Sequence, residues 1–332
     1  MTVVIPTLAA DSSLLPDCLL SLERQTFRAF EAIVVDNSGR GAARAATRER
    51  EATVIENQRN IGFGAAVNQG FRAGTAPFLA VLNDDAAAHP GWLKALMDAI
   101  ERREDVGMCA SQVRLSGSDR LDSAGMLVAS DGSSRQRGHG ESWRRYGREE
   151  EVLFASGSAA LFRRRMLEEI GLFDEDFFLY CEDVDLGLRA SRAGWKCLYV
   201  PGAVVEHAYS RSAGRGTPLK AYYVERNRLF VVVKNFPLPM LVAAPWRSLV
   251  RYGWHVVSMI EGRGQGSEFL GEGHGAWRLV WIVIKAHAAL VPAWPKLWRR
   301  RMAIAQSARL SAREFRQLLS RHAISLRRVA EL

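Results

Sequence analysis

Residues 171–189 read GLFDEDFFLYCEDVDLGLR and set six carboxylates (Asp174, Glu175, Asp176, Glu182, Asp183 and Asp185) among Phe173, Phe177, Phe178 and Tyr180. In a chain of formal charge +9, that density of acid is not compositional drift. From Asp183 onward Val184 and Leu188 fall at helical spacing, and Gly194 offers a C-terminal stop. Glu182 and Asp183 therefore stand at a helix N-terminus, where backbone N–H groups and the helix dipole favour negative charge. Two readings follow. The pair is a helix cap behind an aromatic wall, or it is a carboxylate held against apolar surface with a pKa suited to general-base work. A second acidic cluster, Asn83-Asp84-Asp85, closes an apolar run. Adjacent carboxylates at a strand end suit Mg2+ or Mn2+, which take oxygen ligands and share them with substrate phosphates, and they suit an Asx turn equally well. His207 follows the apolar run 203–205 and reads either as a metal ligand or as a satisfied histidine. Asp36 likewise ends a strand and can be a ligand-facing group or a loop cap.

These residues need a scaffold, and the chain spells one out. Strands are expected at 3–5, 32–35, 53–55 and 77–82, each followed by a helical pattern. Ser12 or Ser13 caps the first helix, Gly62-Phe63-Gly64 opens the third, and Pro90 starts the next. Alternating strands and helices argue for an α/β fold with a mostly parallel sheet flanked by helices. Ligands of such sheets bind at the carboxyl ends of the strands, where Thr7, Asp36, Asn60, Asp84 and Asp85 all sit. Residues 116–151, rich in Ser, Gly and Arg, read as a long loop with room for a hairpin. Residues 196–200 form a strand stopped by Pro201, and 222–234 a helix.

The character changes at Phe236. Six of the nine tryptophans lie beyond it, on two amphipathic segments separated by a glycine-rich linker at 261–275. We place a boundary there, between 1–235 and a helical appendage at 236–332. From Val291 on, ten Lys/Arg face two Glu, so this tail carries +8 and the body is nearly neutral. Such a tail points to an anionic surface, membrane or nucleic acid. Trp on one side and Arg/Lys on the other suit a lipid headgroup layer, or the interface of a homodimer. The longest apolar run, 279–295, is broken by Lys285 and His287 and falls short of a membrane span. The four cysteines are scattered without metal-site spacing and are expected as reduced cytosolic thiols, and no signal peptide is visible at the N-terminus.

Several classes are excluded. Gly62-Phe63-Gly64 lacks the third glycine of a dinucleotide fingerprint and follows the wrong strand, and there is no P-loop. A sugar nucleotidyltransferase would carry a glycine- and arginine-rich loop after its first strand, which is absent here. Instead, Val3-Val4-Ile5-Pro6-Thr7, Val35-Asp36-Asn37-Ser38, Asn60-Ile61-Gly62-Phe63-Gly64 and Leu82-Asn83-Asp84-Asp85 occur in order. Ser156-Gly157-Ser158, the acidic stretch, His207 and Arg226-Asn227 follow them. Over about residues 2–235 this series resembles the inverting family 2 glycosyltransferases of GT-A fold, in the rhamnosyltransferase-like branch. The resemblance implies a nucleotide-sugar pocket containing Thr7, Asp36 (on the base), Asn60, Gly62 and Asp84 (near the ribose). It further implies a Mg2+ or Mn2+ ion on Asp85 and His207, and Asp183 as base with Glu182 beside it. It also implies a dTDP-rhamnose donor, a glycan or lipid-linked acceptor in cell-surface polysaccharide synthesis, a place on the inner face of the cell membrane, and no nucleic-acid partner. Asn at position 83 departs from the family's DxD-type pattern and bears on metal binding. The rival expectation is a non-catalytic nucleotide- or glycan-binding module on the same fold.

Overall fold

The β-branched opening run forms β1 (Thr2–Thr7), buried along its whole length. A computed structural model describes residues 1–8, 13–208, 217–273 and 275–332 of the chain. The elements after β1 are α1 (Leu14–Glu23), β2 (Glu31–Asp36), α2 (Arg44–Thr47), β3 (Ala52–Glu56), α3 (Phe63–Ala73), β4 (Phe78–Leu82), β5 (Ala86–Ala88) and α4 (Trp92–Glu101). Then come β6 (Val106–Leu115), β7 (Leu121–Ser123), β8 (Met126–Val128), β9 (Ser134–Gln136), β10 (Glu150–Val152), β11 (Ala159–Arg163), α5 (Arg164–Ile170), α6 (Glu182–Arg192) and β12 (Lys196–His207). The remainder is helical: α7 (Pro218–Asn235), α8 (Leu238–Ile260), α9 (Gly264–Gly271), α10 (Ala276–Ala288), α11 (Leu290–Gln306), α12 (Ala312–Arg321) and α13 (Leu326–Glu331). Of the two caps expected for α1, Ser12 lies outside the described residues, and Ser13 takes the N-cap position without its side chain capping the helix N–H groups.

One ten-stranded sheet runs in the order β10-β12-β6-β11-β4-β1-β2-β3, with β5 on β12 and β7 on β6. The strands β1, β2, β3, β4, β6 and β12 point the same way, and β11 runs against its neighbours β4 and β6. This is the α/β architecture expected, with the α8–α13 appendage at its C-terminal end. Strand alternation divides the core. Val3 and Ile5 join Leu19, Trp92 and Leu96 on one face, while Val4 joins Phe71, Phe162 and Phe173 on the other.

Three local expectations need correction. The central strand β6 was not anticipated, because Gly107, Cys109, Ala110 and Ser111 give it little apolar signal; there, small residues allow close approach. A Cβ on Gly107 would lie 2.4 Å from the Met166 sulfur. The strand 196–200 does not stop at Pro201. β12 continues to His207 through a register shift between Val200 and Val204, and this bulge absorbs the proline. Residues 116–151 are not a bare loop but hold β7, β10 and the β8–β9 hairpin, and the linker 261–275 holds α9.

The appendage lies against the body, since α10 and α11 pack on α7, and Phe236 at the expected boundary is wholly buried. No single described helix is long and apolar enough to cross a membrane. Only α10 and α11 taken together reach that composition, across a 47° bend.

The seat of α6 is tight enough to reverse a usual preference. Gly→Ala inside a helix normally gains up to ~1 kcal/mol, but a Cβ on Gly187 would sit 2.2 Å from Phe154 Cβ. Gly187→Ala is therefore expected to destabilise the protein by ~1–3 kcal/mol in denaturant unfolding. A stabilised variant would show that α6 is free to move off the sheet.

Candidate functional site

The acidic stretch becomes selective once its partners are named. Asp174 pairs with Lys234 at 2.5 Å and with Arg300, Asp176 with Lys296 at 2.6 Å, and Asp185 with Lys234 at 2.7 Å and Arg189 at 2.9 Å. Glu175 takes Arg72 and the Asn68 amide. Among the described residues, no cation pairs with Glu182 or Asp183. Four of the six carboxylates are structural, and two are left for chemistry.

Those two open α6, as their spacing predicts, but the turn that delivers them could not be read from sequence. Phe178, Tyr180 and Cys181 adopt φ of 63°, 68° and 65°, left-handed values costly for side chains of this size. Asn227 on α7 holds that turn in place. Its buried amide donates to the carbonyls of Phe177, Leu179 and Tyr180 at 2.7–2.9 Å. Arg226 donates to the carbonyls of Asp176 and Phe177 at 2.8 Å. From the other side the Phe63 N–H donates to the Phe178 carbonyl at 2.7 Å. Gly62 (φ 94°) makes this approach possible, since a Cβ there would lie 2.4 Å from that oxygen. Gly62, expected in the nucleotide pocket, also admits the acid-bearing turn.

Asp183 accepts from the N–H of Gly157 at 3.0 Å and from its own helix at Val184, 2.8 Å. Glu182 is buried, and its Oε2 has no hydrogen-bond partner. Burial and the neighbouring Asp183 charge push Glu182 up to about 8. Asp183 is also raised by burial, against the pull of its backbone donors. Two adjacent carboxyls in one low-dielectric site share a proton, and the one with N–H donors keeps the charge. Asp183 is thus the carboxylate and Glu182 the acid of the pair near neutral pH.

The turn 156–158 links this pair to the second cluster. Gly157 holds Asp183, while the Ser158 carbonyl accepts from Asn83 N–H at 2.9 Å. Asp84 accepts from Thr7 Oγ1 at 2.5 Å, and burial raises it to about 6 despite that bond. Asp85 Oδ1 lies 3.0 Å from His207 Nε2, because β5 pairs with the end of β12. Asp122 on β7, which sequence reading missed inside the supposed loop, receives His207 Nδ1 at 2.9 Å and His139 at 3.2 Å. Burial pulls the His207 imidazole down, but its bonds to Asp122 and Asp85 outweigh that and hold it at about 10. Asp85 and His207 line a cavity of about 540 Å3 with Asp17, Glu206 and Arg120; Glu182 and Asp183 do not line it.

Asp36 is wholly buried. Its oxygens accept from the N–H groups of Ser38 and Ala43, both at 2.8 Å. Burial would raise it, but these donors leave it lowered, so it shapes the loop after β2. Asn37 donates to Asn60 Oδ1 at 2.9 Å and to the Gly62 carbonyl at 3.2 Å, tying this loop to the start of α3.

The donor set suits a hard divalent cation. No three His, Cys, Asp or Glu side chains among the described residues form a ready cage. Mg2+-type ions instead use one or two carboxylates plus substrate phosphates and water, and Asp85 beside an Asp122-oriented His207 meets that need.

The chain matches the family model "Glycosyltransferase like family 2" over residues 1–230. It is 32% identical over 243 residues to the N-acetylglucosaminyl-diphospho-decaprenol L-rhamnosyltransferase of Mycobacterium tuberculosis, covering 65% of this chain and 79% of that one. It is 38% identical over 71 residues to the Rhamnosyltransferase WbbL of Escherichia coli (21% of this chain, 26% of the other). Two solved structures share the fold. The mannosyltransferase PcManGT from Pyrobaculum calidifontis, in complex with GDP-Man and Mn2+, has a TM-score of 0.53 at 18% identity, over 92% of this chain and 85% of its own. GalNAc-T7 with UDP, GalNAc and Mn2+ has a TM-score of 0.57 at 17% identity, over 70% of this chain and 47% of its own.

A carboxyl raised in the fold binds its proton more tightly there than in the unfolded chain. Its stabilising effect is full below the unfolded value of 4.5 and is lost as pH rises to the folded value of about 8. Glu182→Gln removes that titration, so the variant's Tm should fall less than the wild type's between about pH 5 and pH 8. Parallel declines would show that Glu182 carries no such proton.

Proposed function

The chain belongs to the family 2-like glycosyltransferases, in the branch of its rhamnosyltransferase relatives. From that premise we propose that it is a metal-dependent inverting enzyme transferring L-rhamnose from dTDP-L-rhamnose to a lipid-linked glycan acceptor in cell-surface polysaccharide synthesis. The carrying observation is the sorting of the acidic stretch: among the described residues, Glu182 and Asp183 are the two of its six carboxylates without a cation partner, and they stand at a turn strained into place. A pair of that kind, one carboxylate and one acid, is fitted to take a proton. The acceptor and donor follow the printed activity of the mycobacterial relative and the branch.

In this mechanism Asp183 accepts the proton of the attacking acceptor hydroxyl. The acceptor oxygen bonds to the anomeric carbon as the bond to the nucleoside diphosphate breaks on the opposite face, so one displacement inverts the centre. Glu182, protonated, keeps a second negative charge away from the base. Asp85 and His207 would hold Mg2+ or Mn2+, and such an ion would supply positive charge to offset the charge of the leaving diphosphate. Thr7 and Asp84 line the nucleotide pocket near the ribose. Asp36 and Asn60 act on the base through the loop and turn they fix, and Gly62 by letting the acid-bearing turn close over α3.

Asp183→Asn keeps shape and capping capacity, so folding and donor binding should survive while transfer falls by about 10²–10⁴-fold. Asp85→Ala should instead weaken metal-dependent donor binding, measured by calorimetry with dTDP, UDP and GDP. Loss of donor binding in Asp183→Asn, or near-normal transfer, would overturn the base assignment. A UDP preference would overturn the rhamnose donor but not the enzyme class.

We place 236–332 as the unit that meets the inner face of the cell membrane. Trp246, Trp277, Trp281, Trp294 and Trp298 are all exposed there, on helices that also carry Arg and Lys. The full-length protein should float with vesicles containing anionic lipid and not with neutral ones. Failure to float, with dimerisation in solution, would assign this face to a second subunit.

A further inference from the structure

Helices α7, α8, α9 and α10 enclose a second cavity, of about 400 Å3, that the reaction as described does not use. Val224, Val256, Phe269, Leu279, Ile282 and Val283 supply much of its wall. Glu225, Arg228 and Arg251 also border it, but they satisfy one another: Glu225 pairs with Arg251 at 2.7 Å and with Arg228. Arg251 further holds Asp131 at 2.6 Å. Arg135 and Lys220 line it as well, but most of the remaining lining is apolar, and such a surface open to solvent is stabilised by an apolar ligand that covers it.

Two parts of its lining say what kind of molecule that is. Cys181, the residue immediately before Glu182 and Asp183, lines it. Lys220, on the first turn of α7, lines the same cavity, with its Nζ 5.9 Å from the Tyr180 ring. A cation and a helix N-terminus suit phosphate oxygens. One wall is α10, which carries apolar residues on both sides: Leu279, Ile282 and Val283 line the cavity, while Trp277 and Trp281 are 75% and 58% exposed. A chain leaving the cavity across α10 therefore stays on apolar surface.

We propose that this cavity binds the isoprenoid-type chain of a polyprenyl-diphosphate-linked acceptor, a proposal that rests on the lipid-linked acceptor read above. The diphosphate lies by Lys220, and the first sugar projects past Cys181 to Asp183. By the ~30 Å3 volume of a water, the cavity admits on the order of a dozen methylene-sized groups. It takes the chain segment next to the diphosphate, and the rest runs out over Trp277 and Trp281. Binding the lipid and presenting the hydroxyl are then one event, and a soluble sugar lacks the tether.

A diazirine-bearing polyprenyl phosphate, photolysed with the full-length protein in detergent and mapped by peptide mass spectrometry, tests this without any glycosyl transfer. Labels are expected on α7 and α10 wall residues, falling about tenfold in Val283→Trp, which fills the cavity. Val224→Phe fills it from the opposite wall and serves if Val283→Trp does not fold. Labels confined to the outer faces of α8, α10 and α11, unchanged by either filling variant, would overturn the proposal. So would equal cavity labelling by a diazirine phosphatidylglycerol, which would make the site one for bulk lipid. A protein that binds the probe in the cavity yet transfers no sugar would retain this site and lose the function proposed above.

Discussion

Glu182 and Asp183 are neighbours in sequence, Glu182 buried and Asp183 partly so, and they repel. Two unit charges a few ångströms apart inside a protein cost several kcal/mol at an effective dielectric of ~20, so the pair sheds one charge by keeping a proton. Much of the surrounding structure serves this arrangement. The α6 N-terminus and the Gly157 N–H favour the charge on Asp183. The turn of left-handed residues 178, 180 and 181 aims the pair, and Asn227, Arg226 and Gly62 hold the turn against its own strain.

The second requirement is that, among the described residues, no cation pairs with Glu182 or Asp183, although the protein has an excess of them. Lys234, Arg189, Lys296 and Arg300 are close by but committed to Asp174, Asp176 and Asp185. Two of these come from α11 in the basic tail. That tail is therefore not only a charged surface, because part of its charge closes the acid-bearing loop. Arg309 does the same farther along, on Glu169.

Neither of the two cavities is lined by this pair. One carries Asp85 and His207 and suits a metal with phosphates; the other is largely apolar and has Cys181 among its lining residues.

The sequence by itself determined the local half of this protein. The β-branched runs at 3–5 and 32–35 became buried strands because alternating apolar residues have one way to satisfy two core faces. The helix at Glu182 was legible because acids, helical spacing and Gly194 agree over a short range. The order of motifs was enough to indicate the family. Tertiary structure decided which of the six carboxylates are free, since Lys234, Arg300 and Lys296 lie 49–126 positions from the acids they neutralise. It also decided that Gly62 admits Phe178 and that Asp122 orients His207. None of these could be read along the chain, because each is a contact between segments whose separation in sequence carries no periodic signal. Charge neutralisation and burial are properties of neighbours in space, and only the fold chooses those.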